Sequence, residues 1–156
     1  MSDSKPSLTP EQEQALVAVL DEIVPARPDG RVPGAGALGL VGFIEDRMRE
    51  TPDLRPAIVQ GLAALERLAA ERGAGGFPQV PAAERADLLN ALSTREPAFL
   101  PGLIFQTYVG YYQQPIVLEA LGVEGRPPHP QGYAMEPLDP SLLEPVRRRG
   151  PFGRRL

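Results

Sequence analysis

The chain has 156 residues, a formal net charge of −4, 42% apolar content, no Cys, no Trp and a single His. That is enough for one hydrophobic core and not for two. The missing cysteines exclude a disulfide framework, a thiolate metal cluster and a thiol nucleophile, the lone His excludes multi-histidine metal sites and the usual triads, and the acidic balance argues against a general nucleic-acid binder.

Strand signals are scarce, and helical periodicity recurs along the chain. The first predicted helix starts behind Thr9 as N-cap, with Pro10 at the first helical position and Gln12 three residues on, a capping-box arrangement. Leu16, Leu20, Ile23 and Val24 form its apolar stripe, and Pro25 stops it. The run from Pro25 to Gly39 is too rich in Pro and Gly for a regular element, and is expected to be a loop tied down at Val32 and Leu38. Within it, Gly34-Ala35-Gly36-Ala37-Leu38-Gly39 superficially resembles a dinucleotide fingerprint. No strand precedes it, so close chain-to-chain approach is the expected role.

A second helix is predicted from about Leu38 to Glu50, with Leu40, Val41, Ile44 and Met48 on one side and Glu45, Asp46, Arg47 and Arg49 mostly on the other. The third, from about Asp53 to Arg72, keeps Leu54, Ile58, Leu62, Leu65 and Ala69 on one stripe until Gly73. A flexible segment around Ala74 to Val80 follows. Pro81 opens a short fourth helix carrying Arg85, Leu88, Leu89 and Leu92, with Ser93-Thr94 suggesting its end. Pro97 opens the fifth, interrupted early by Pro101-Gly102 and continuing to Gln114. It is apolar nearly all round and is therefore expected to be the buried central helix. Pro115 opens a last turn or two, from Ile116 to Leu121, stopped by Gly122.

From residue 123 onward the composition shifts. Seven Pro, four Gly and six Arg against four acids make this tail net +2, whereas the preceding residues carry ten basic and sixteen acidic side chains and are net −6. Such asymmetry favours a tail lying over its own acidic surface or reaching a partner. Asp139 is placed to cap a short helix from Pro140 to Arg149. The reading is all-α: a single irregular bundle of five or six helices over residues 1–122, with a Pro/Arg-rich C-terminal arm, 123–156, as part of the same unit.

Little in this chain is equipped for catalysis. His129, in R-P-P-H-P-Q-G-Y, is the only imidazole and is read as a turn or partner contact. Phe105, Tyr108, Tyr111 and Tyr112 have helical spacing. They read first as core, with an interface as the functional alternative, and one of Tyr111 and Tyr112 must face away from the side on which the other packs. Arg147, Arg148 and Arg149 form a basic cluster suited to an acidic partner. The expected partner contacts are thus Tyr108, Tyr111, Tyr112, His129, Tyr133, Arg147, Arg148 and Arg149, with no catalytic, cofactor or metal residue. One rival is an autonomous small enzyme or ligand-binding protein with a pocket between helices, using Tyr108 or Glu45. A second is a transient chaperone or adaptor.

Four stretches together resemble the gluconate 2-dehydrogenase subunit 3 family: L-T-P-E-Q-E-Q-A-L-V-A-V-L-D-E-I-V-P at Leu8 to Pro25, P-G-A-G-A-L-G at Pro33 to Gly39, Y-Y-Q-Q-P at Tyr111 to Pro115, and L-G-V-E-G-R-P-P-H-P-Q-G-Y at Leu121 to Tyr133. The resemblance covers about residues 8 to 133. It implies a non-catalytic small subunit of a flavin-dependent, glucose-methanol-choline-type sugar dehydrogenase. FAD and the catalytic histidine would then sit on a large partner, with a multihaem cytochrome as a further subunit in many systems and no cofactor on this chain. Family members commonly carry a twin-arginine signal. Here Met1 to Pro10 holds neither that nor an apolar leader, and no run approaches about 18 apolar residues. The expectation is a cytoplasmic protein without membrane insertion, or a periplasmic one if the partner carries the export signal.

Overall fold

A computed structural model describes residues 8–123 and 139–149. The chain divides into two compact units, Met1–Gly125 and Arg126–Leu156. Among the described residues there are helices and no strand.

The first unit holds six α-helices: α1 (Pro10–Ile23), α2 (Val41–Glu50), α3 (Leu54–Glu71), α4 (Ala82–Arg95), α5 (Phe99–Tyr111) and α6 (Pro115–Ala120). The Thr9 capping box forms as its sequence requires: the Thr9 hydroxyl accepts from the Gln12 N–H, and the Gln12 side chain accepts from the Thr9 N–H at 3.0 Å. The entry to α1 is also fixed from outside the helix, because the buried Leu8 donates its N–H to the Glu45 carboxylate at 3.0 Å. Glycines with positive φ stand at the two predicted stops, Gly73 after α3 (φ 77°) and Gly122 after α6 (φ 75°).

The central element is α3, which packs against α1, α2, α4 and α5. Its predicted stripe, Leu54, Ile58, Leu62, Leu65 and Ala69, is buried throughout. The expectation that α5 is the buried central helix is wrong. Its inner side, Phe99, Leu103, Thr107, Gly110 and Tyr111, faces the core, but Phe105, Tyr108 and Tyr112 are exposed. All-round apolarity therefore reflects one face for the core and a second, equally apolar face for the outside. Pro101-Gly102 does not interrupt this helix either: Pro101 sits in the first turn, where its missing N–H has no helical partner to lose.

Two aromatic–glycine contacts set the spacing of the layers. Gly61 of α3 lies under the Phe99 ring of α5, and a Cβ at that position would collide with the ring atoms and stand 2.7 Å from the Phe99 Cβ. Gly110 of α5 receives the Phe43 side chain of α2 in the same way, with a built Cβ 2.8 Å from the ring. Thr107, fully buried between these contacts, satisfies its hydroxyl by donating to the Leu103 carbonyl at 2.7 Å.

The segment between α3 and α4 is not the flexible linker that its glycines suggest. Phe77–Gln79 forms a 3-10 turn, and Phe77 and Val80 are buried. Arg85 donates to the Pro78 and Val80 carbonyls at 2.8 and 2.9 Å, and the Glu66 carboxylate accepts from the Phe77 N–H at 3.2 Å. Side chains on α3 and α4 thus supply the partners that the irregular backbone lacks.

The described part of the second unit, residues 139–149, is a 3-10 turn (Pro140–Leu143) running directly into α7 (Glu144–Arg147). Asp139 caps it as expected, accepting from the Ser141 N–H at 2.9 Å. No residue of this stretch is buried. No helix of the described residues is long and apolar enough to cross a membrane.

Candidate functional site

From Pro97 to Leu118 the sequence contains no charged residue. This uncharged stretch builds α5 and most of α6, and its outer side is the largest concentration of exposed aromatic side chains among the described residues. Phe105, Tyr108 and Tyr112 fall at spacings of three and four, hence on one stripe of the helix. They are 63%, 45% and 49% exposed. The Tyr108 and Tyr112 rings lie 6.1 Å apart and tilted, and Tyr112 stands edge-on to Tyr111 at 5.3 Å. Both spacings suit aromatic pairing, so the three tyrosine rings support one another along the helix.

Tyr111 is the inward member of the Tyr111–Tyr112 pair, 5% exposed, with its hydroxyl donating to the Pro33 carbonyl at 3.3 Å. It ties α5 to the glycine-rich loop and carries Tyr112 on its edge; as a direct partner contact it is corrected, because almost none of it reaches the surface. Burial pushes its phenol above the ordinary tyrosine value, nearby Tyr112 adds to this, and Arg27 opposes it. The fold therefore favours the neutral phenol. Its contribution to stability is fully present below the unfolded pKa of about 10 and is lost as pH rises through the higher folded value. Tyr111→Phe should lower stability at neutral pH by about 1 kcal/mol, the net worth of a hydrogen bond. It should also flatten the loss of stability between about pH 9 and 11; urea unfolding of both proteins across that range checks this.

Beside the aromatic stripe, a cleft of about 240 Å³ opens between the end of α1, α4 and α5, lined by Ile23, Leu89, Leu100 and Ile104, with Asn90 and Tyr108 among its polar contributors. A second, larger and shallow cleft of about 530 Å³ runs along α1 between Glu13, Val17, Val41 and Arg85. Its one cation is already engaged: besides the two carbonyls of the 3-10 segment, Arg85 faces Glu22 at 3.5 Å. Glu45, the other residue of the rival pocket reading, lines neither cleft and accepts the Leu8 N–H instead. Among the described residues no three His, Asp or Glu side chains gather in a metal-binding group.

The glycine run does not fit a dinucleotide phosphate. The Gly36 N–H that would have to meet an anion donates to the Asp21 carboxylate at 2.8 Å. A Cβ at Gly34 or Gly36 would strike that same carboxylate, and at Gly36 also the Val17 carbonyl. These glycines let the loop lie against α1, the close chain-to-chain approach expected of them, and Asp21 of α1 completes that packing.

Of the residues singled out from sequence, α5 brings Tyr108 and Tyr112 together on its surface and turns Tyr111 inward. Arg147, Arg148 and Arg149 are exposed at the end of α7, and Arg147 pairs with Glu144 at 3.4 Å. His129 and Tyr133 lie outside the described residues. Phe105, the most exposed of the described aromatics, shares the helical spacing of the tyrosines but is not among the expected partner contacts. Its spacing of three and seven from Tyr108 and Tyr112 is the signal that marks it.

Fold and site together define a small all-α protein whose most apolar helix turns an uncharged aromatic face outward. The chain belongs to the gluconate 2-dehydrogenase subunit 3 family, whose model matches residues 10–125. No curated protein and no solved structure matches it at a significant level.

Proposed function

We propose that this chain is the non-catalytic small subunit of a flavin-dependent sugar or alcohol dehydrogenase, and that it stabilises or matures the FAD-carrying large subunit. Family membership supports a place within a dehydrogenase complex. The observation that carries the reading further is the outer face of α5. Phe105, Tyr108 and Tyr112 are large and exposed, with the two tyrosines in ring contact, in a stretch without charge. Depletion of charge with enrichment in aromatics is the composition of the centre of a protein–protein interface rather than of a solvated helix.

The mechanism is thermodynamic linkage. A subunit that binds only the folded large chain shifts that chain's folding equilibrium, by about 2.7 kcal/mol when the small subunit is present at a hundredfold excess over Kd. This chain would bind no flavin; its residues supply apolar and aromatic surface, and the acid–base and redox chemistry belongs to the partner. A cytochrome subunit and the route of export would likewise be properties of the complex.

Co-expression with a flavin-dependent dehydrogenase large subunit from the same source tests the reading. The expected result is a stoichiometric yellow complex whose large subunit melts at a higher temperature than the same subunit purified alone, while the isolated small chain is colourless and inert. A transient, colourless association would point to a releasing chaperone, and turnover by the isolated chain would overturn the reading.

A further inference from the structure

We infer that Asp21 is a positioning residue for Tyr112: it fixes a strap, residues 33–36, on α1, and the strap in turn fixes Tyr111, the ring against which Tyr112 stands. The inference rests on the proposed function for what the placement of Tyr112 serves, and on bonds within the first unit for the coupling itself.

The strap bridges two helices. On the α1 side two consecutive backbone amides are held: Ala35 donates its N–H to the Val24 carbonyl at 2.9 Å, and Gly36 donates to the Asp21 carboxylate at 2.8 Å. On the α5 side the Pro33 carbonyl accepts from the Tyr111 hydroxyl at 3.3 Å. Arg27, in the excursion that the Ala35–Val24 bond closes, acts electrostatically on the same phenol. Gly34, Ala35 and Gly36 are buried, so these amides have no water at hand in place of the bonds they make.

The Asp21 side chain sets the direction of the strap. A single backbone bond at Ala35 would leave a segment flanked by glycines free to pivot about it, since Gly34 and Gly36 have no Cβ to limit that motion. The second bond, one residue further on and made to a side chain three residues before Val24, removes the pivot. The carboxylate lies directly against both glycines, and a Cβ at either would strike it. Among the described residues Asp21 forms no ion pair, so its charge is turned to the strap rather than to a neighbouring cation.

The effect reaches the outer side of α5 through two contacts. Tyr111 is buried and bonded to Pro33, and Tyr112 stands edge-on to it at 5.3 Å. A ring on a helix surface has a choice of rotamers, and an edge contact selects among them only while the partner ring keeps one place. Coupling of this kind is reciprocal: what loosens the strap at Asp21 loosens it at Tyr111, and the reverse.

The isolated full chain tests the coupling. Asp21 and Tyr111 bond to the strap and not to each other, and substitutions at sites without shared partners ordinarily add. Asp21→Ala and Tyr111→Phe release the same strap, so the double variant should be more stable than additivity requires, by about threefold or more in the unfolding equilibrium constant measured in urea. With no Trp in the chain, near-ultraviolet circular dichroism reports chiefly on tyrosine. Asp21→Ala should weaken the tyrosine bands although it removes no aromatic ring, and should weaken them less in the Tyr111→Phe background. Asp21→Asn keeps an oxygen for the Gly36 N–H and should restore both readouts. Asp21→Ser, which keeps a polar group but not its reach, replaces Asp21→Ala should the latter not fold. Additivity within twofold, or tyrosine bands that superimpose on those of wild type, would overturn the positioning role and leave the subunit reading intact. In the complex, where Tyr112→Ala weakens binding of the large subunit, Asp21→Ala should weaken it about threefold to tenfold and Asp21→Asn by less than about twofold. Full affinity of Asp21→Ala in that setting would confine Asp21 to stability and overturn the inference. If Tyr112→Ala itself keeps full affinity, it is the docking face that falls, and the coupling is still decided by the urea cycle.

Discussion

Phe99→Ala should destabilise the isolated chain by about 3–5 kcal/mol, the range for removing a buried aromatic side chain. Phe99 is 1% exposed and is the first core residue of α5. Its ring occupies the notch left by the missing side chain of Gly61 on α3, so its loss opens a cavity at the seam between the central helix and the helix that carries the exposed aromatics. Gly61→Ala attacks the same seam from the other side. On an open helix surface that change would gain about 1 kcal/mol in helix propensity. Here the new methyl meets the base of the Phe99 side chain as well as its ring, so rotating the ring does not clear the clash; overpacking of this kind typically costs about 1–3 kcal/mol. The two substitutions should not add. With the ring gone, the two closest contacts of the Gly61→Ala methyl disappear and only the Cβ retained at position 99, 2.7 Å away, must still give, so the double variant should be more stable than the sum of the singles by about 1–3 kcal/mol. Urea denaturation of the four proteins measures this coupling. Simple additivity would mean that the α3–α5 seam is not held by this contact.

That seam also shows where sequence reading succeeds and stops. The stripe of α3 and the capping box of α1 were legible because both are local: a period of 3.6 and a spacing of three residues are written in consecutive positions. Gly61 was not legible. Nothing near it in sequence announces that Phe99, 38 positions later, will rest on it. The same limit explains the segment around Phe77. Gly75 and Gly76 read as linker, yet Arg85 and Glu66 supply its hydrogen bonds from two other helices. It explains α5 too. Uniform apolarity has no periodic component, so it names no face and invites the assumption of complete burial. Only the placement of Gly110, Leu103 and Thr107 against neighbouring helices shows which side is inward. For the candidate site, the tyrosines were visible as a group, and the geometric fact that Tyr111 and Tyr112 cannot both face one way was available from their adjacency. Which of them turns in was decided by Pro33, again far away in sequence.

If the outer face of α5 is the centre of the subunit interface, Tyr108→Ala and Tyr112→Ala should each weaken binding to the flavoprotein large subunit by about 2 kcal/mol or more, roughly thirtyfold. The magnitude follows from area. A buried aromatic covers 150–250 Å², and a half-exposed ring leaves on the order of 100 Å² for a partner to cover, or about 2.5 kcal/mol at 25 cal/mol per Å². Phe105, the most exposed of the three, has no hydroxyl to keep wet and should be the most sensitive to a charge, so Phe105→Asp is expected to abolish detectable complex. The conservative changes Tyr108→Phe and Tyr112→Phe keep the ring area and should keep most of the affinity. Stability must be read separately, because Tyr112→Ala also removes its edge-on contact with Tyr111, which is worth about 0.5–1.5 kcal/mol. Tyr108→Ala provides the cleaner comparison, since among the described residues its one ring contact is with the similarly exposed Tyr112. Calorimetric titration of large subunit with each variant, alongside a thermal melt of the variant alone, distinguishes a lost docking face from a loosened helix. Full affinity in both tyrosine-to-alanine variants and in Phe105→Asp would remove the α5 face from the interface, and leave an exposed aromatic stripe whose cost in solubility has no compensating contact.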